Sequence, residues 1–179
     1  GCSRGIRFLM IRFTKLLGEP IIDIQKLFGE ASYRVYYRLT TQSKKTFVLM
    51  EMPKGKKRST SEEITNIKEA PKELPYINIQ KYLKKIGLPV PEIKIFSEEE
   101  GWIVLEDLGD VKLENIVSKA EPMEILNWYK RALDLLVELQ TKTSSDLRTY
   151  ALTHLRTPCI AFHRSFDATL FNWEFEHFW

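Results

Sequence analysis

The chain has 179 residues, 44% of them hydrophobic, 12% aromatic and 28% charged, the composition of a folded globular protein and not of a disordered or fibrous one. Its net charge of +3, from 27 basic and 24 acidic residues, is too even for a nucleic-acid-binding footprint, so no partner of that kind is expected. Cys2 and Cys159 stand far apart, with neither zinc spacing nor the ladder of a disulfide framework, and point to a reducing cytoplasm.

Taken in chain order, residues 1–14 read as an N-terminal extension, and Ile6 to Leu17, which mixes Arg7, Arg12 and Lys15 with apolar residues, reads as a basic amphipathic helix or as plain extension. Residues 1–9 read as an artefact of cloning or of the gene boundary, since Met10 opens a natural-looking start. The longest apolar run there, Phe8 to Ile11, is too short for a signal peptide or a membrane span, and no membrane partner is expected. Ile21 to Leu27 and Arg34 to Leu39 predict a hairpin, because Val35, Tyr37 and Leu39 alternate with Arg34, Tyr36 and Arg38 at the period of a half-buried strand. A third strand is predicted at Phe47 to Met50, closed by Pro53.

From Lys54 to Lys72 the chain turns to Lys, Ser, Thr and Glu with little to bury, the pattern of a mobile solvated insertion. Pro75 to Ile86 predicts a helix with Ile79, Leu83 and Ile86 on its buried face, stopped by Gly87. Ile93 to Phe96 and Trp102 to Leu105 predict a second hairpin. A helix is expected from about Met123 to Lys142, with Pro122 in its first turn and Ile125, Tyr129, Leu133, Leu136 and Leu139 on one face. Thr143 to Arg156 reads as a connecting loop, and Ser165 to Trp179 as a final aromatic-rich helix with Asp167 near its start. Strands, helix, strands, a pivot and then helices make an α+β fold with segregated layers.

Two segments could carry chemistry. Gly29-Glu30-Ala31-Ser32-Tyr33-Arg34, between the first two strands, could cover phosphates with backbone N–H groups and a hydroxyl while Arg34 neutralises charge; the bland alternative is an ordinary turn in which Gly29 supplies backbone freedom. Gly101 to Asp110, GWIVLEDLGD, runs an apolar strand into an acidic pivot whose backbone groups at Glu106 could meet an adenine edge while Leu108 packs on the ring; the alternative is a strand ending in a solvated turn.

The segments GEASYRVYYRL, TFVLMEMP, INIQKYLKKIGLPVPEI and GWIVLEDLGD, in this order, resemble the aminoglycoside phosphotransferase and choline-kinase-like superfamily, and within it the kinases of N-acetylmuramate and N-acetylglucosamine. The resemblance covers roughly residues 15–179, with a weaker match at AFHRSFDATLFNWEFEHF. It implies a protein-kinase-like fold with a nucleotide-binding small lobe over 15–108 and the start of a helical lobe over 109–179. It further implies γ-phosphoryl transfer from ATP, with Mg²⁺, to a hydroxyl of a sugar, amino sugar or similar small molecule. Gly29, Ser32, Tyr33 and Arg34 would then lie on the phosphates, and Glu106 and Leu108 on the adenine.

The chain also departs from the kinase pattern. The lysine expected on the third strand is Met50, beside Glu51, and the helix Tyr76 to Ile86 has no acidic residue to pair with it. The catalytic aspartate, its asparagine and the metal-binding aspartate of the superfamily are expected after Trp179, so the chain reads as an N-terminal fragment with no assignable catalytic or metal residue. His163 to Asp167, with Asn172, copies the catalytic spacing, but the position fits a helix ahead of the catalytic loop better. His154, His163 and His177 have no metal spacing, and Trp128, Trp173 and Trp179 read as packing residues. The alternative function is a catalytically inactive, kinase-like nucleotide-binding or partner-binding regulatory protein. A further rival is a basic binding protein that uses Lys54 to Arg58 on an acidic partner. The acceptor and the oligomeric state are left open.

Overall fold

The structure, a computed structural model, describes residues 2–27, 34–52, 73–153, 159–163 and 167–176. These fall into two compact units, one within 1–66, 91–107 and 166–179, the other within 67–90 and 108–165.

The first unit is built on a five-stranded, wholly antiparallel sheet in the order β1-β2-β3-β5-β4. Its strands are β1 (Ile21–Leu27), β2 (Val35–Thr41), β3 (Thr46–Glu51), β4 (Ile93–Ser97) and β5 (Trp102–Glu106). All five begin and end within two residues of the expected runs, because each carries β-branched or aromatic residues between turn signals. The interior position of β5, between β3 and β4, explains its sequence: Trp102, Ile103, Val104 and Leu105 are all buried, as a strand covered on both faces requires.

Directly opposed residues of neighbouring strands share a face. Leu39, Phe47, Tyr37, Leu49 and Val104 therefore lie on one side, and Arg38, Val48, Leu105, Tyr36, Met50 and Ile103 on the other. On the first side packs α1 (Cys2–Leu17): of the two readings of Ile6 to Leu17 the structure has the helix, which begins earlier, at Cys2. Phe13 is fully buried in the cluster of Ile21, Leu39, Leu49, Trp102 and Val104, with Leu9, Met10 and Leu17 beside it. Its ring meets that of Trp102 edge to face at 5.2 Å, a geometry that adds to the area buried. Gly18, with φ of +71°, turns the chain out of α1, and Thr14 Oγ1 accepts a 2.9 Å hydrogen bond from Ile21 N at the start of β1.

Both outer strands are irregular, with shifts of register between Ile21 and Asp23 in β1 and between Ile93 and Ile95 in β4. Within the expected final helix lies α5 (Ala168–Glu176), which Asp167 caps by accepting a 2.9 Å bond from Leu170 N.

The second unit holds α2 (Pro75–Lys85), α3 (Leu113–Val117), α4 (Pro122–Thr153) and a 3₁₀ turn at Ile160–His163. Pro75 occupies the first turn of α2. Its end is a Schellman motif, with Gly87 N bonded to Lys84 O and Leu88 N to Leu83 O. The buried side chains of α2 are Pro75, Ile77, Gln80 and Tyr82, which corrects the expected face of Ile79, Leu83 and Ile86; those three are half-buried. Polar anchors set the rotation: Tyr82 Oη donates to Asp146 Oδ2 at 2.7 Å, its ring meets Phe162 edge to face at 5.4 Å, and Asn78 Oδ1 accepts from Ile160 N at 2.7 Å.

The loop expected at Thr143 to Arg156 is instead helix as far as Thr153. Thr141, Thr143 and Thr149 return their hydroxyls to the carbonyls of Val137, Leu139 and Ser145, four residues back. Side chains that favour turns in isolation thus stay inside the helix. The expected apolar face of α4 stands at the surface among the described residues, with Tyr129, Leu133 and Leu136 exposed. The insertion Lys54 to Lys72 lies outside the described residues.

Candidate functional site

Of the residues expected on phosphates, Gly29, Ser32 and Tyr33 lie outside the described residues. Arg34 is described: it is half-buried and immediately precedes β2. Glu106 closes β5 with an exposed side chain. Its N–H donates to Glu92 O at 2.8 Å, and its carboxylate accepts from Glu92 N at 3.0 Å. Leu108 belongs to the second unit and is 71% exposed. The nearby Gly109 sits at φ of +79°, a conformation that costs any residue with a Cβ and lets the acidic pivot change direction.

Met50, which stands where the kinase pattern has lysine, is 1% exposed. It lies on the sheet face opposite α1, in register with Tyr36 of β2 and Ile103 of β5. Its register partners there, Tyr36 and Ile103, are not cations. Its neighbour Glu51 points to the α1 side, where burial pushes its carboxyl above the ordinary range and Arg12 partly offsets the effect. Arg12 itself pairs with Glu100 and lies over the Trp102 ring at 5.1 Å.

A polar pair that sequence reasoning missed sits on the face of Met50. Arg38 Nε donates to Asp107 Oδ2 at 2.6 Å and Nη2 to Oδ1 at 3.2 Å, a two-point clamp in which the side chains are 16% and 4% exposed. The residues are 69 positions apart in sequence. Two signals could have found them: Arg38 alternates onto the face away from Tyr37 and Leu39, and Asp107 sits inside the acidic pivot.

Asp167, in the segment that copies a catalytic spacing, holds Leu170 N as a helix cap. Trp128 is half-buried, with Arg131 over its ring at 4.8 Å. Among the described residues no three His, Cys, Asp or Glu side chains gather in a way that could hold a metal ion, and no helix is long and apolar enough to cross a membrane. An open cavity of about 540 Å³ beside α4, lined by Gln140, Thr141, Ser144, Ser145 and Arg148, includes none of the expected site residues. Cys159 is buried, and burial raises its thiol above the usual range.

No family model matches this chain, and no curated protein is similar to it.

Proposed function

We propose that this chain carries the nucleotide-binding part of an ATP-dependent phosphotransferase acting on a hydroxyl of a small molecule, a sugar or amino sugar by its resemblance. One observation carries the reading: a five-stranded antiparallel sheet in the order β1-β2-β3-β5-β4, whose interior strand β5 runs straight into the acidic pivot. Such an exit carries the backbone out of the sheet at the pivot, where the reading puts the adenine edge. Arg34, at the mouth of β2, is the described cation assigned to phosphate.

The transfer joins phosphorus to the acceptor oxygen and breaks the bond to the β,γ-bridging oxygen, releasing ADP. No described residue is assigned the base that takes the hydroxyl proton. Mg²⁺ would supply charge stabilisation in such a reaction, and the described residues form no cluster that fits it, so its ligands would lie outside them. A cytoplasmic location follows the same reading.

Met50 favours a second reading, a nucleotide-binding or partner-binding protein that has lost catalysis, because a buried thioether can neither pair with phosphate nor with a helix carboxylate. Calorimetry with ATP, with and without Mg²⁺, tests the nucleotide site on which the first reading depends. Binding that weakens on Arg34→Ala supports the assignment, unchanged affinity removes Arg34 from it, and no binding at all refutes the nucleotide reading. A screen of hydroxylated acceptors for ADP release then separates the two readings.

A further inference from the structure

The helix α1 carries Arg4, Arg7, Arg12 and Lys15 and no acidic residue. Arg12 is neutralised by Glu100. Arg7 and Lys15 are exposed and, among the described residues, make no ion pair. At about 3.6 residues per turn, Phe8 and Ile11 lie about 140° and about 160° around the helix from Phe13, the residue that anchors α1 in the core. They are accordingly 64% and 66% exposed. With Lys15 they follow the spacing of three and four residues that makes one stripe along a helix, and Arg7 borders it.

Both sides of α1 thus hold apolar side chains, and the side of Phe13 is the one that meets the sheet. The outer stripe sets Phe8 and Ile11 between unpaired cations. An acidic protein surface would use the cations but gain nothing from the phenylalanine and isoleucine. An anionic bilayer uses both: the acyl boundary takes apolar side chains, and the headgroups take Arg and Lys, whose stems reach outward. No described helix is long and apolar enough to cross a membrane, but lying on one needs only a face.

We propose that the outer face of α1 docks on an anionic lipid surface, with Phe8 and Ile11 at the acyl boundary and Arg7 and Lys15 on the headgroups. Phe13 keeps the helix on the sheet from the opposite side, so docking unfolds nothing. The surface is independent of the nucleotide reading.

The test is cosedimentation of the full chain with vesicles of phosphatidylserine and phosphatidylcholine in equal parts, and of phosphatidylcholine alone. Binding is expected to the anionic vesicles only, and to weaken as salt rises. Arg7→Gln with Lys15→Gln should lower the affinity about tenfold or more, the scale of two cations at such a surface. Phe8→Ala with Ile11→Ala should lower it about tenfold through lost apolar burial. Both pairs point away from the core, and circular dichroism checks that they leave the fold intact. Lys84→Gln with Lys85→Gln, exposed on α2, removes the same charge elsewhere and should leave most of the binding. A loss there equal to that of Arg7 and Lys15 overturns the assignment to α1, as does a Phe8 and Ile11 pair that binds unchanged. Failure of the unaltered chain to bind anionic vesicles overturns the proposal outright. Polyglutamate is the acidic-protein probe, and binding to it as tight as to the vesicles gives the face to a protein partner and overturns the lipid assignment.

Discussion

Phe13→Ala should destabilise the sheet-bearing unit by about 4 kcal/mol. Phe13 is fully buried among Ile21, Leu39, Leu49, Trp102 and Val104, and truncating a buried phenylalanine leaves a cavity that costs about 3–5 kcal/mol. Within that figure, the edge-to-face contact with Trp102 at 5.2 Å accounts for about 1 kcal/mol. Phe8, on the same helix but 64% exposed, is the control, and Phe8→Ala should stay within about 0.5 kcal/mol. Urea denaturation followed by far-ultraviolet circular dichroism reads the difference as a midpoint lowered by about 2 M, for a slope of about 2 kcal/mol per molar. A Phe13→Ala loss no larger than that of Phe8→Ala would mean that α1 is not docked on the sheet, and the face assignment of Leu49 and Val104 would fall with it.

Glu51 gives a pH prediction. Its carboxyl is raised by burial, so between its ordinary value and its folded value the native state holds the extra proton, and stability falls as pH rises through that window. Glu51→Gln should therefore match the parent in acid, below about pH 4, and exceed it at pH 7 in urea melts; lower stability at pH 7 would mean that the attraction of Arg12 outweighs burial. Tyr82→Phe removes the donor to Asp146 and should cost about 1–2 kcal/mol, read as faster amide exchange along α2. Unchanged exchange would show that ring packing on Phe162 alone holds that helix.

The strands were legible because alternation is a local signal: Tyr37 and Leu39 against Arg38 fixes both the strand and its faces within five residues. The helix caps at Gly87 and Asp167 were equally local. Three features were not legible for reasons that can be named. The hydroxyl-rich stretch after Lys142 has turn-forming composition, and only the return bonds of Thr141, Thr143 and Thr149 to the preceding turn keep it helical. The rotation of α2 depends on hydrogen bonds to Asp146 and to Ile160, residues far along the chain, so periodicity alone chose Ile79, Leu83 and Ile86 over Ile77, Gln80 and Tyr82. The clamp of Arg38 on Asp107 joins β2 to a pivot 69 residues on, and no local pattern encodes such a partner. For the candidate site, the sequence named Arg34, Glu106 and Leu108, and the structure adds that Glu106 is tied to Glu92 and that Met50 is buried.

The irregular outer strands have a consequence for behaviour in concentrated solution. A sheet with open edges can grow by recruiting strands from other molecules, and growth needs a long, straight row of unpaired backbone groups. β1 breaks that row between Ile21 and Asp23, and β4 breaks it between Ile93 and Ile95. Asp23, Lys26 and Lys94 add charges to the same strands. An incoming strand that zips onto half of either edge meets a change of step in the other half, which works against growth of the five described strands by recruitment from other molecules.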